Sequence, residues 1–439
     1  MRYLVTSFFL LICVNLAAAY GLTLTSDPAL EPYLIEGLAK SPRIASVRFQ
    51  GMQAMAGIDA AAALPDAKLA FVFNNYPIVS LAGDESPMTG KIIKLSQAFP
   101  YPGKLAAKEA VAKARSAAMQ ARLHEEGLLL RRDLVRVWNN LQLQREVVLI
   151  VEKKLQALDD FQRFTESRYA VGNSGQQDVL AVQVSRTEAM NALSTARRQA
   201  RGALFEFNRL LDRQSEEPVE IKGELLPYPD PAAGDELMAG IETRRPMFHL
   251  FRAQIEASQQ QVKFAGLQSR PDFSVGAGYT YREESPMYDS TDFVSVEFGI
   301  TLPFANRSRV RSEQGQAAAA LQGAKSDYHN FLINEQMQVY DLQAQLQQLG
   351  ERIVLYKEGI LPQSKQSYEA SLTAYQVGRY DFSSLLKSLL SIYSAEIEMQ
   401  RAVADFNKAV AEFRYRTGVG SEQIRALLNV NPNSSVVSQ

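Results

Sequence analysis

Two stretches decide how this chain reads: YAVGNSGQQDVL, from Tyr169 to Leu180, and YQVGRYDFSSLL, from Tyr375 to Leu386. Each spells Tyr-x-Val-Gly with a leucine eight positions after the glycine, and the two lie 206 residues apart. The same offset pairs Ala203 with Ala409, Glu206 with Glu412 and Phe207 with Phe413. Upstream it pairs Pro65-Asp66 with Pro271-Asp272, while Phe99-Pro100 and Leu302-Pro303 pair at 203, a three-residue indel. Self-similarity on this scale is one structural unit written twice. The expected division is a first repeat over 20–225 and a second over 226–430, each with a helix, two strands and a long helical hairpin.

The hairpins follow from composition and period. From Lys104 to Arg168 there is no proline and no turn cluster, and Ala, Leu, Glu, Gln, Lys and Arg dominate. About 65 helical residues at 1.5 Å rise reach roughly 100 Å. Leu134, Leu141, Val148 and Leu155 recur at sevens, as do Val137, Val151 and Leu158, with Gln144 the polar exception. That is a coiled-coil seam. Leu332, Val339, Leu346 and Ile353, with Leu342, Leu349 and Tyr356, repeat it. Gly172 and Gly378 then stand where an outgoing helix stops and the chain reverses, through Leu180 to about Leu211 and through Leu385 to about Arg416. Glycine permits the left-handed conformation that ends a helix, and Asn173, Ser174 and Gly175 are turn formers. By themselves these glycines are equally explained as hairpin closures.

Between the hairpins the period falls to two. Ala67, Leu69, Phe71 and Phe73 alternate with Lys68, Ala70, Val72 and Asn74. Phe273, Val275, Ala277, Tyr279 and Tyr281 alternate with Ser274, Gly276, Gly278 and Thr280, and Val294, Val296, Phe298, Ile300 and Leu302 with Ser295, Glu297, Gly299 and Thr301. A fourth strand near Lys91 to Gln97 is less regular, with Ile92 on the polar side. One apolar face and one small or polar face suit a membrane barrel, although four such strands alone also suit an ordinary half-buried sheet. Four strands cannot close a barrel, and open edges are not tolerated in lipid. Three copies supply twelve strands, with the turns at Pro77 to Thr89 and Arg282 to Thr291 as external loops. Pro100, Pro102 and Pro303 mark the change from strand to helix, where the first amides need no internal partner.

Composition excludes other classes. The net charge of −1 offers nothing to nucleic acid. His124, His249 and His329 lack partners at metal-ligand spacing, and no phosphate loop, nucleophile elbow or acid pair stands out, so no metal, cofactor or enzymatic activity is expected. Residues 1–19 read as a secretory signal: Arg2, an apolar run from Leu4 to Leu16, then Ala17-Ala18-Ala19. The run is short for a transmembrane anchor. Cys13, the sole cysteine, lies within it behind Ile12, so neither disulfide nor lipid anchor is expected in the mature chain. Residues 431–439 are polar and expected to be disordered.

With the duplication, the Pro-Asp pairs at Pro65 and Pro271, the two Tyr-x-Val-Gly turns and Leu-Ser-Gln-Ala-Phe-Pro-Tyr-Pro-Gly-Lys from Leu95 to Lys104, the sequence resembles the TolC-like outer-membrane efflux family over nearly its whole mature length. The last stretch is similar to the heavy-metal RND efflux branch. The resemblance implies an α+β membrane protein, a homotrimer whose twelve-stranded outer-membrane β-barrel continues as a periplasmic α-helical barrel of coiled-coil hairpins. It implies a passive duct in the outer membrane of a Gram-negative bacterium, coupled by a periplasmic adaptor (membrane fusion) protein to an inner-membrane RND-type pump, exporting metal ions or small molecules. It places Val171, Gly172 and Asn173 and Val377, Gly378 and Arg379 at adaptor-contacting tips. Gln177, Asp178, Tyr375, Tyr380, Ser384 and Lys387 match the positions that line the closed periplasmic aperture. The family tends to carry acids where Ser384 and Lys387 stand, so Asp178 would face Lys387 rather than complete an anionic constriction. The competing reading is a periplasmic coiled-coil scaffold or adaptor without transport activity, which gives no reason for the alternating strands.

Overall fold

The computed structural model describes residues 27–221, 223–231, 234–287, 289–303 and 307–429. The expected signal at 1–19 and tail at 431–439 lie outside the described residues. In chain order the elements are α1 (Glu31–Lys40), α2 (Pro42–Ala62), β1 (Lys68–Asn74), β2 (Gly90–Phe99), α3 (Lys104–Ala170) and α4 (Gln176–Leu210). Then follow two short helices, α5 (Gly234–Met238) and α6 (Ile241–Arg244), before α7 (Pro246–Leu267), β3 (Asp272–Tyr281) and β4 (Phe293–Thr301). The chain ends with α8 (Arg307–Val354), a π-helical turn (Leu355–Ile360), α9 (Leu361–Gln376), α10 (Phe382–Arg416) and α11 (Ser421–Asn429). The succession helix, strand, strand, long helix, returning helix therefore occurs twice, as the internal duplication requires.

The chain packs as two compact units, and each draws matching pieces from both halves. One comprises Arg48–Ala121 and Phe248–Phe331, the other the described residues up to Val47 with Arg122–Met247 and those from Leu332 onward.

In the first unit the four strands form one antiparallel sheet in the order β1-β2-β3-β4. Leu69 faces Leu95 and Phe71 faces Ile93; Ile93 in turn faces Tyr279, and Tyr279 faces Val294. Leu69, Phe71, Phe73, Ile93, Leu95, Val275, Tyr279, Val294, Val296, Phe298 and Ile300 thus share one face, and all are exposed. Ser274, Gly276, Gly278, Ser295, Glu297 and Gly299 share the other, where the Lys94 ammonium donates to the Glu297 carboxylate. Ile92 lies on this second face, as its position in the alternation predicts. A soluble sheet buries its apolar face; this one exposes it. The joint between β2 and α3 explains the Leu95–Lys104 stretch. Lys104 is buried, and its Nζ donates to Asp272 Oδ1 at 2.8 Å and to the Arg270 carbonyl at 3.0 Å, while the Tyr101 N–H donates to the same carboxylate oxygen at 2.7 Å.

In the second unit the seam residues Leu134, Val137, Leu141, Val151 and Leu158 are buried, and Val148 and Leu155 partly so. Trp138 is fully buried against Tyr33 and Phe207, and its indole N–H donates to Asp27 Oδ2 at 2.6 Å. Burial of each such side chain is worth about 1.5–3 kcal/mol. Charges are buried too: Arg245 donates to Glu125 at 3.2 Å and to Glu335, and Arg416 donates to Glu335 at 3.0 Å. Burial opposes the Arg245 charge, but Glu125, Tyr415 and Glu335 outweigh it and hold its pKa above the ordinary arginine value. Glu125 and Glu335, which sequence alone leaves among solvated helix charges, thus join segments distant in the chain.

The second long helix departs from the first at one place. The π-helical turn immediately precedes Pro362, near the start of α9. Proline offers no N–H and its ring crowds the carbonyl four residues back, so a widened turn accommodates it without a full break. Gln156 occupies the corresponding position of α3, which stays regular.

Candidate functional site: the two helical turns

Both hairpins close with the same hydrogen bonds. At the first turn the Gly172 N–H donates to the Tyr169 carbonyl at 3.0 Å and the Asn173 N–H to the Arg168 carbonyl at 2.8 Å. At the second the Gly378 N–H donates to Tyr375 at 3.1 Å and the Arg379 N–H to Ala374 at 2.9 Å. This pair of bonds is the Schellman closure, with glycine as the left-handed residue after the cap. Gly172 has φ 74° and Gly378 φ 73°. A Cβ at either glycine would meet nothing within 4 Å. Backbone conformation, not crowding within the chain, therefore demands glycine here. Val171 and Val377 beside them are 69% and 64% exposed, and Asn173 and Arg379 are also exposed.

The returning helices are capped by mirrored chemistry. In the second turn Asp381 is the N-cap: its carboxylate accepts from the Ser384 N–H and from the Ser384 hydroxyl, each at 2.8 Å. In the first turn the positions 206 earlier are Gly175 and Asp178, and here Asp178 supplies the carboxylate. It accepts from the Ser174 hydroxyl at 2.8 Å and from the Gly175 N–H at 3.4 Å. Each turn keeps one carboxylate, moved from the third helical residue to the cap. Asp178 and Ser384, two of the expected aperture residues, are thus engaged in holding the turns.

The remaining expected aperture residues divide. Gln177, Tyr380 and Lys387 are exposed. Tyr375 is buried, packed against Phe164 and Phe382 with ring centroids 6.3 and 5.7 Å away, and the Arg168 guanidinium stacks over its ring at 4.9 Å. Arg168 belongs to the first hairpin and Tyr375 to the second, so this stack ties the two together. Sequence reasoning missed Arg168, Phe164 and Phe382. Their signal was weak: an arginine in a helix's last turn reads first as a partner for the helix dipole.

Two expectations follow. Arg168→Met and Tyr375→Leu should be coupled by about 1–2 kcal/mol in a double-mutant cycle of thermal unfolding, the range of a largely desolvated cation–π pair; additive effects would remove the tie. The Asp381 carboxyl is held below the ordinary aspartate value of 3.8 by the Ser384 N–H and hydroxyl. A depressed pKa contributes stability above the unfolded value and loses it as pH falls through the folded one. The protection of amides at the start of α10 against exchange, relative to the unstructured rate at the same pH, should therefore fall below pH 3.8, and in Asp381→Asn that acid-induced loss should vanish.

Among the described residues, no group of three or more His, Cys, Asp or Glu side chains could hold a metal ion, and no helix is long and apolar enough to cross a membrane. A sheet with an exposed apolar face, joined to duplicated helical hairpins, defines the architecture of an α+β membrane protein with four strands per chain. Residues 35–211 and 240–419 match the family model described as outer membrane efflux protein. The chain belongs to that family of outer-membrane channels. No curated protein sequence gives a match.

Solved structures share the fold. The outer membrane protein VceC from Vibrio cholerae is 18% identical, with 89% of this chain and 96% of that one covered at a TM-score of 0.75. The Neisseria gonorrhoeae MtrE outer membrane channel is 15% identical over 90% and 89% of the chains, TM-score 0.75. CusC is 14% identical over 89% and 92%, TM-score 0.74.

Proposed function

We propose that three copies of this chain form a passive exit duct of a tripartite efflux system, their sheets closing as a twelve-stranded barrel in outer-membrane lipid and their hairpins forming a periplasmic tube. One observation carries this reading: every large apolar side chain on one face of the sheet is exposed, while β1 and β4, at the sheet's edges, have no further strand partner among the described residues. Lipid covers such a face, and copies of the same edges close such a sheet. The duct needs no active site, because the inner-membrane RND-type pump supplies the energy. The turns at Gly172 and Gly378 meet the periplasmic adaptor: they expose Val171 and Val377 on a backbone that bonding inside each turn already orders. Gln177, Tyr380 and Lys387 line the aperture that opens when the turns part, with Asp178, Ser384 and Tyr375 holding the turns around it.

The Leu95–Lys104 stretch supports the heavy-metal branch as the finer assignment. The test is export from cells lacking the chain and cells carrying it, challenged separately with transition-metal salts and with organic toxicants. Restored metal tolerance with the chain in the outer membrane supports duct and branch; restored tolerance to organic compounds alone keeps the duct and removes the branch. Unchanged export, with the chain recovered as a soluble periplasmic protein, contradicts both and favours a scaffold.

A further inference from the structure

The β1–β2 and β3–β4 ladders are one register written twice. Phe71 faces Ile93 in the first. The residues 206 positions after Phe71 and 203 after Ile93 are Ala277 and Val296, which face each other in the second. Leu69 opposite Leu95 maps in the same way onto Val275 opposite Phe298, and Asn74 opposite Gly90 onto Thr280 opposite Phe293. The β2–β3 ladder also has a repeat image, but that image joins β4 to β1, the two strands at opposite edges of the sheet. It can form only between copies.

We infer that β4 of one copy pairs antiparallel with β1 of the next in the register that β2 and β3 already use, placing Val296 opposite Phe73, Phe298 opposite Phe71 and Ile300 opposite Leu69. The inference rests on the three-copy barrel and adds its seam. Face parity agrees independently, since all six residues lie on the exposed apolar face. A one-residue slip would set apolar side chains of one strand against the polar face of the other, so slips of two residues are the competing registers.

The joint beneath the seam follows from the same mapping. Lys104 reaches Asp272 at 2.8 Å across the β2–β3 boundary. The repeat images of those residues are Arg307 and Asp66, both exposed and neither with an ion-pair partner among the described residues. Arg307 of one copy therefore pairs with Asp66 of the next. The two joints repeat around the ring, alternately within and between chains.

The test is disulfide capture in outer membranes. Cys13 lies in the expected signal, so the unsubstituted chain serves as a background that should not cross-link. Phe71→Cys with Phe298→Cys should give cross-linked oligomers on mild oxidation. Phe71→Cys with Val296→Cys or with Ile300→Cys should lose that capture, because diagonal neighbours exceed comfortable disulfide reach. Separately, Arg307→Asp and Asp66→Arg should each lower the temperature at which the oligomer dissociates, and the double swap should restore it. Capture from a shifted pair, or oligomers that capture from none of these pairs, would overturn the register while leaving the three-copy duct standing. Absence of oligomers in the unsubstituted chain would overturn both.

Discussion

Phe298→Arg should destabilise the assembled barrel by about 2–4 kcal/mol, whereas Ser295→Arg should leave assembly nearly unchanged. The two residues sit on one strand, three positions apart and on opposite faces of the sheet. Phe298 is 78% exposed in a single chain. Water outside that face would let arginine replace phenylalanine at little cost, because the guanidinium would stay solvated. Hydrocarbon there strips the charge of solvent near the middle of the span, and only partial snorkelling relieves it. Ser295, beside Gly278 on the other face, would instead send the arginine into a water-filled lumen, where it changes conduction more than stability. Val296→Arg should behave like Phe298→Arg. Denaturant titration of oligomers refolded into vesicles reads the difference; equal tolerance on both faces would mean that no lipid covers the sheet.

The double substitution Gly172→Leu with Gly378→Leu should abolish coupling to the adaptor without preventing barrel assembly. A Cβ at either position meets nothing within 4 Å, so the effect acts first through φ values of 74° and 73°. A non-glycine residue in the left-handed region costs about 1–2 kcal/mol, enough to make the closed turn a minority form of the tip. A partner shaped to the native turn must then restore it, which weakens docking roughly tenfold at each turn. With three copies carrying two turns each, the weakening repeats around the ring. Adaptor cross-linking and export should both fall, while oligomers in the outer membrane persist because the barrel is built from strands remote in sequence. Asn173 and Arg379 differ between the turns, so the single variants should be unequal. Normal cross-linking and export in the double variant would reduce the turns to hairpin closures.

What could be read beforehand follows a physical divide. Features set by local period were legible: α3 spans the segment expected from its heptads, the strands fall where apolar alternation puts them, and both Val-Gly turns close as glycine at the cap requires. Features set by contacts between distant segments were not. Arg245, Glu125 and Glu335 look individually like surface charges, and only tertiary packing brings them together. Tyr375 drew notice only through the resemblance, and the Phe164, Arg168 and Phe382 side chains that pack around it come from segments whose meeting no local pattern announces. Pro362 was in plain view, but whether a helix meets a proline by ending or by widening one turn depends on the packing that holds both sides.

The pairing of a lipid-facing sheet with open edges is the centre of this account, and the mass of the native particle tests it most directly. The protein should leave outer membranes only in detergent, and native mass spectrometry should find three chains per particle. A single chain, or recovery in the soluble periplasmic fraction without detergent, would contradict it.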